Sequence, residues 1–220
     1  MVTSGELYTN VMDKLQFEPG IDESNITVAI KDNGIVILGG KVRSYAEKYT
    51  AEKAAETVAK VKGVANEIEV ELIPSHKRGD ADIANAALNA LQWNVFVPHE
   101  QIKVAVENGH VTLTGKVEYN YQKECAKDAV QDLYGVTYVT NDVTVKPSAV
   151  VSSSEVKRKI IKEFERNARI DASNIKVEVD GSKVILKGKV RNFDEDREAR
   201  TAAWSIPGVV NVVDYLIIGW

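Results

Sequence analysis

Cysteine and histidine are scarce in this chain of 220 residues, and so is any excess of positive charge. The single Cys125 excludes an internal disulfide. Three scattered histidines, His76, His99 and His110, leave no Cys/His set for a zinc site, and no metal or other cofactor is expected. The formal net charge of −4 argues against a general nucleic-acid binder, which needs a basic field to displace counterions. No apolar run approaches the ~20 residues of a membrane-spanning helix. The opening MVTSGELYTNVMDKL has no basic n-region, no apolar h-region and no small-residue cleavage site. Read as a native start, it predicts a cytoplasmic protein, whereas a removed leader would place the chain in the periplasm.

What is present is an ordinary soluble composition, 44% hydrophobic and 27% charged, arranged as a repeat. The tripeptide GKV stands at residues 40–42, 115–117 and 188–190. A shift of 75 places lays Ala51, Ala54 and Val58 on Ala126, Ala129 and Leu133, and a further 73 reach Ala199, Ala202 and Ile206. The first helices align after a shift of 76, because the first hairpin holds one extra residue. Leu7, Val11, Leu15 and Ile21 then match Ile83, Ala87, Leu91 and Val97, and next Val156, Ile160, Phe164 and Ile170.

Each unit reads alike. An amphipathic helix with apolar residues three and four apart leads through a polar loop into an alternating strand, such as Ile175, Val177 and Val179. A glycine turn follows (Asn33-Gly34, Asn108-Gly109, Asp180-Gly181), and the second strand runs into GKV. A second helix opens at Ser44 or Asn192, each with a glutamate three residues on that predicts a capping box; Tyr119 holds that place in the middle copy. A last strand closes the unit. The fold class is α+β: three tandem α-β-β-α-β units over residues 1–73, 78–147 and 152–220, each a small three-stranded mixed sheet carrying two helices.

GKV has no phosphate-loop pattern, since GxxxxGK[ST] is absent. Gly40, Gly115 and Gly188 are therefore structural, placed where the strand leaves for the second helix and the backbone bulges or approaches closely. Gly135 and Gly208 are structural too. Lys60 stands in their place in the first copy, which predicts a different turn there.

The run NITVAIKDNGIVILGGKV, an Ala-rich helix and VKGVANEIEV resemble a BON domain (bacterial OsmY and nodulation). LYGV followed by NDVTV, and SIPGVVNVVDYLII, repeat the signature, so the resemblance covers essentially the whole chain. It implies small α/β sandwiches without a catalytic centre, in stress-associated proteins, several of which bind phospholipid surfaces or serve transport or envelope maintenance. Most of those are periplasmic; this chain looks like the signal-less, three-domain, osmotically inducible or transport-associated branch. A cytoplasmic relative pairs BON with LysM and senses potassium, but no LysM segment is present in these residues.

Candidate sites are few. Cys125 aligns with Thr50 and Glu198 and has Glu124 and Asp128 beside Lys123 and Lys127, so a surface or boundary thiol is expected. Asp194, Glu195 and Asp196 fall in the first turn of a helix, where carboxylates favour the dipole without any cation. Charge differs by copy. Lys plus Arg against Asp plus Glu is 8 against 12 for residues 1–73, 7 against 9 for 74–147, and 13 against 11 for 148–220. In the third copy's first helix, Arg158, Lys162, Arg166 and Arg169 form a basic stripe beside Ile160, Ile161 and Phe164. That pattern fits anionic lipid, or a core-facing helix with a solvated outer face. Trp93 and Phe96 end the middle copy's first helix; Phe17 and Arg166 occupy the Trp93 position elsewhere, which argues against deep core. The ending DYLIIGW (Tyr215, Leu216, Ile217, Ile218, Trp220) is an edge for self-association or a core strand with a frayed end.

The expectation is a non-enzymatic, stress-associated protein that binds an anionic phospholipid or envelope surface weakly at several points. A self-associating scaffold, a homo-oligomer, is the alternative, with a cation or small-ligand sensor behind it. Nucleic acid is not expected as a partner.

Overall fold

All twelve apolar positions that define the repeat of first helices are buried. In the computed structural model, which describes residues 3–31, 34–147 and 151–219, they line the inner faces of α1 (Ser4–Phe17), α3 (Asp80–Trp93) and α5 (Ser153–Arg166) and the loops after them. Ile161 lies at the margin of its face and is exposed. Thr3 caps α1 in a reciprocal capping box with Glu6, and Ser152 accepts from Glu155 N at 3.3 Å to start α5.

A short 3-10 turn then leads into the first hairpin strand of each unit: β1 (Ile26–Lys31), β5 (Ile102–Glu107) and β8 (Ile175–Asp180). The returning strands are β2 (Ile35–Val42), β6 (His110–Val117) and β9 (Lys183–Val190). Asn108 (φ 52°) and Gly109 (φ 76°) give the middle hairpin two left-handed residues, and Gly34 and Gly181 are also at positive φ. Asn33, the other half of the first turn, is outside the described residues.

The second helices are α2 (Tyr45–Glu56), α4 (Asn120–Gln131) and α6 (Phe193–Trp204). After them come β3 (Gly63–Asn66) with β4 (Glu69–Val70), β7 (Tyr138–Val145) and β10 (Asn211–Ile218). Each hairpin strand pairs antiparallel with its mate, and the last strand adds parallel to the second, giving orders β1-β2-β3, β5-β6-β7 and β10-β9-β8. The three mixed sheets match three tandem α-β-β-α-β units. The first copy's last strand is in two pieces, with Asn66 at the join accepting from Ile68 N at 3.2 Å and donating to Lys48 O at 3.1 Å; Asn141 makes the same bonds within the unbroken β7.

By backbone proximity the chain forms two units: residues 1–90, 104–112 and 129–140, and residues 91–103, 113–128 and 141–220. Within the first, Tyr45 packs edge-on against Tyr138 at 5.7 Å, and His110 lies 5.1 Å from Tyr138 and 2.7 Å from Thr140 Oγ1. Burial, followed by Tyr138, pushes the Tyr45 hydroxyl up to about 12. Within the second, α5 packs on β8 and α6, and α6 on β9 and β10, around Ile160, Phe164, Val177, Leu186 and Ala203.

The predicted caps at Ser44 and Asn192 form, but their return half differs from a capping box. Glu47 N and Glu195 N donate to Ser44 Oγ (3.1 Å) and Asn192 Oδ1 (2.9 Å). The two carboxylates bind not the cap amides but Arg43 N with Asp22 N, and Arg191 N with Asp171 N, at 2.6–2.9 Å. Gln122 takes this place in the middle copy and accepts from Glu118 N and Tyr119 N, both at 3.0 Å, which supplies the cap left unassigned at Tyr119.

The GKV glycines lie inside the second strand, opposite the first residue of the hairpin, as in Ile26↔Gly40 and Ile175↔Gly188. Their φ values are 101°, 149° and 134°. A Cβ there would sit 2.1, 2.1 and 2.0 Å from the carbonyl oxygens of Asn25, Gln101 and Asn174. The lysines that follow are exposed and the valines buried. Gly135 and Gly208 adopt φ 91° and 94°, and Lys60 adopts φ 75°, so the first copy does not turn differently: a lysine bears the left-handed conformation. Gly188→Ala will therefore destabilise the protein by about 2 kcal/mol or more. Lys60→Gly will stabilise it by about 0.5–1 kcal/mol, the strain relieved less the freedom given to the unfolded chain. Urea unfolding of both variants checks the opposite signs.

Candidate binding surfaces

The last residue of each first helix and the segment before its 3-10 turn form a tip whose character changes from copy to copy. In the middle copy it carries Trp93, Val95 and Phe96, exposed by 87%, 90% and 60%. Asn94 shapes the loop by accepting from Phe96 N at 3.0 Å, and buried Val97 anchors its far end. Phe96 meets Tyr121 edge-on at 6.4 Å, and Tyr121 stacks on Tyr119 at 5.7 Å. An aromatic patch thus extends from α3 to the start of α4; the two tyrosines had no signal of their own in the sequence. In the first copy the same tip carries Phe17, 80% exposed, with the Lys14 ammonium 5.7 Å from its ring.

In the third copy, Arg166 and Arg169 occupy the positions of Trp93 and Phe96. The aromatic pair and half of the basic stripe are therefore one structural site in two versions. Arg166 pairs with Glu163, and Arg169, beyond the end of α5, pairs with Glu198 at 2.8 Å. Arg158 and Lys162 lie on the outward face of α5, and neither makes an ion pair among the described residues. The apolar residues Val156, Ile160 and Phe164 belong to the third core. What α5 offers outward is charge, with Ile161 on its flank.

The C-terminal segment is an edge strand that divides by alternation. Val212, Leu216 and Ile218 pack on the core, while Tyr215 (60% exposed) and Ile217 (64%) face away. Trp220 lies outside the described residues. On the helix side of this strand the third copy differs again. Asn66 and Asn141 donate to Lys48 O and Lys123 O, but Asp214 has no amide to give. Arg200 reaches it instead at 3.5 Å and also holds Asp196 at 2.8 Å. Burial pushes the Asp196 carboxyl up to about 6, with Arg200 opposing and Asp214 adding to the rise. The change from Asn to Asp between copies was the sequence signal for this cluster.

The chemistry-bearing residues have structural surroundings. Burial, then Asp128 and Glu124, raise the Cys125 thiol, which disfavours a thiolate. Burial opposes ionisation of Glu195, but Arg191 and the amides of Arg191 and Asp171 outweigh it and hold the carboxyl low. An open groove of about 500 Å³ lies nearby, yet its Arg169, Arg191 and Arg197 each already hold a carboxylate, of Glu198, Glu195 and Asp194. Among the described residues no group of three or more His, Cys, Asp or Glu side chains is placed to hold a metal ion. No described helix is long and apolar enough to cross a membrane.

Comparison with known proteins gives a consistent result. The family model "BON domain" matches residues 4–71, 79–147 and 152–219. Osmotically-inducible protein Y of Escherichia coli (strain K12) is 29% identical over 134 residues, covering 57% of this chain and 67% of that protein. Among solved structures, the C-terminal domain of CdsD, the structural protein of the type III secretion system of Chlamydia trachomatis, aligns over 98% of both chains with 17% identity and a TM-score of 0.27. The PrgH periplasmic domain covers 95% of this chain and is itself covered completely (100%), with 7% identity and a TM-score of 0.20. Scores of that size do not establish a common global arrangement.

The Asp196 cluster makes third-copy stability depend on pH. Between about pH 4 and pH 6 the folded carboxyl keeps a proton that the unfolded chain has lost, so raising the pH through this window lowers stability. Glu178, held at about 2 by Lys187 and Lys176, acts in the opposite sense at lower pH. Denaturation followed by Trp204, which packs on the third core, in a Trp93→Phe/Trp220→Phe background isolates the effect. Asp196→Asn will remove the decline between those pH values.

Proposed function

This chain belongs to the BON domain family, in three tandem copies, and from that premise we propose that it is a non-enzymatic binding protein of stress adaptation that attaches to anionic phospholipid surfaces. The likeness to an osmotically-inducible protein supports the stress role. The observation that carries the binding reading is the aromatic tip. Trp93 and Val95 stand almost fully in solvent with Phe96 more than half exposed beside them, an arrangement that a packed monomer has no reason to keep. Burying such a side chain gains about 1.5–3 kcal/mol, and Trp favours the headgroup level of a bilayer, where its ring is buried and its N–H stays wet. Arg158 and Lys162, each contributing about 1 kcal/mol near an anionic surface, add a second, electrostatic contact. Neither contact is strong alone; joined in one chain, they multiply.

Vesicle flotation with and without anionic lipid tests this. The protein will float with anionic vesicles at about 0.1 M salt and much less at about 1 M, where charge is screened over a few ångström. Trp93→Ala/Phe96→Ala will weaken partitioning by about tenfold or more at both salt levels. Arg158→Glu/Lys162→Glu will weaken it by a similar factor at low salt only. Partitioning that ignores both double substitutions would sink the reading.

A further inference from the structure

The two helices of each unit cover one side of its sheet, and the alternate strand residues on the other side distinguish the three copies. In the middle copy's last strand they are Thr140, Asp142 and Thr144, and in the first copy Ala65, Glu67 and Glu69. In the third they are Val213, Tyr215 and Ile217. The chain is its own control: at the same three places, in the same fold, two copies carry small or polar residues and one is apolar throughout. No core requirement accounts for this, because Tyr215 and Ile217 are more than half exposed.

Charge separates the first and third sheets further. On the third, Lys183, Lys187 and Lys189 of β9 and Lys176 of β8 share the open side with two carboxylates: Glu178, which pairs with Lys187 at 2.7 Å and Lys176 at 2.9 Å, and Asp180, opposite Lys183. Lys189 lies opposite Ile217. The equivalent lysine of the first sheet, Lys41, lies opposite Glu69 and pairs with Glu71 at 2.9 Å. The first sheet's open side is thus acidic along its edge, at Glu67 and Glu69, beside an apolar patch formed by Ile35 and Ile37. Buried Ile68 between the two glutamates fixes their outward direction. Each surface has what the other lacks: apolar area with an excess of lysine on the third, where Lys189 faces Ile217, and apolar area with an excess of carboxylate on the first.

We infer that the open face of the third sheet docks onto the open face of the first sheet of a second copy of this chain. The occupant is a second copy because the complementary surface is part of the same sequence, in matching number, and because charge favours first-to-third contact over third-to-third, where lysines would meet lysines. An open face of this fold already accepts a guest in the first unit, where Tyr45 seats its ring against Tyr138 beside His110. Reciprocal contacts close a two-fold dimer, and contacts made in series build a longer assembly.

The test uses the full chain and two variants. The first, Val213→Thr/Tyr215→Asp/Ile217→Thr, carries the residues that the middle copy uses at those positions, which the fold accommodates. The second is Glu67→Lys/Glu69→Lys. Sedimentation velocity over a wide concentration range will show the unaltered chain self-associating beyond 24.2 kDa, and each variant doing so about tenfold or more weakly. Mixed in equal amounts, the variants will form a heterodimer, since one keeps its first face and the other its third. An unaltered chain that stays monomeric, or variants that do not complement each other, overturns the inference. A triple variant that loses vesicle binding while the unaltered chain is monomeric overturns it in favour of a lipid surface.

Discussion

In the first and third copies, one buried side chain at the third position of the second helix holds the unit together. Glu47 and Glu195 are nearly inaccessible, yet each spends its carboxylate on two backbone amides far apart in sequence. One amide ends the second strand; the other, from Asp22 or Asp171, belongs to the loop that leaves the first helix. A single group therefore fixes the exit of one helix, the end of the sheet's central strand and the start of the next helix. A buried carboxylate is stable only when its lone pairs are filled in this way. The middle copy shows the rule by its exception. Pro98 stands at the place of Asp22 and has no N–H to give, and there the carboxylate is replaced by the neutral Gln122, which caps locally.

Once that joint and the close approach of the GKV glycines are set, the three copies share a frame and differ in what they display. The frame tolerates Trp, Phe or Arg at the same tip because the position stands largely in solvent, outside the core. It tolerates Asn or Asp at the middle of the last strand because either oxygen can accept the amide two residues on. Outward positions vary most, and on the helix side the change from Asn to Asp at 214 is met by Arg200. The divergence is concentrated in the third copy: it has the positive balance, the apolar outer side of the last strand, and the carboxylate pair bridged by Arg200.

The helices, the strand alternation and the repeat were legible because burial imposes periods of 3.6 and 2 on residue type. Phe164 and Leu186 sit where their spacing puts them. Less legible were features set by contacts across the sequence. Glu47 looks like half of a capping box, since the residue it prefers, Asp22, is 25 positions away. Lys60 looks like a departure from a glycine turn, because propensity alone does not reveal that neighbouring backbone can hold lysine at φ 75°. The sequence places Arg166 at the Trp93 position, but the further match of Arg169 with Phe96, which joins half of the basic stripe to the aromatic tip, gains its sense only from their exposure. Alignment of the copies contained that equivalence; exposure gave it meaning.

A tandem of near-identical small units has a physical reason to specialise in this way. Each copy alone buries only about 60% of its unfolded surface and has little stability to lose on strained or unpaired groups. A single unit carrying an exposed tryptophan loop, a lysine-rich face and a raised carboxyl would combine several costs in one small core. Spread along the chain, each cost falls on a different frame: the aromatic tip on the middle copy, the acidic edge and the strained Lys60 on the first, the lysine face and the Asp196 cluster on the third. Weak contacts distributed in this way remain effective because they are covalently joined, and each stays individually reversible. On the proposed reading, the variation among copies carries the contacts, and the repetition lets each frame bear one cost.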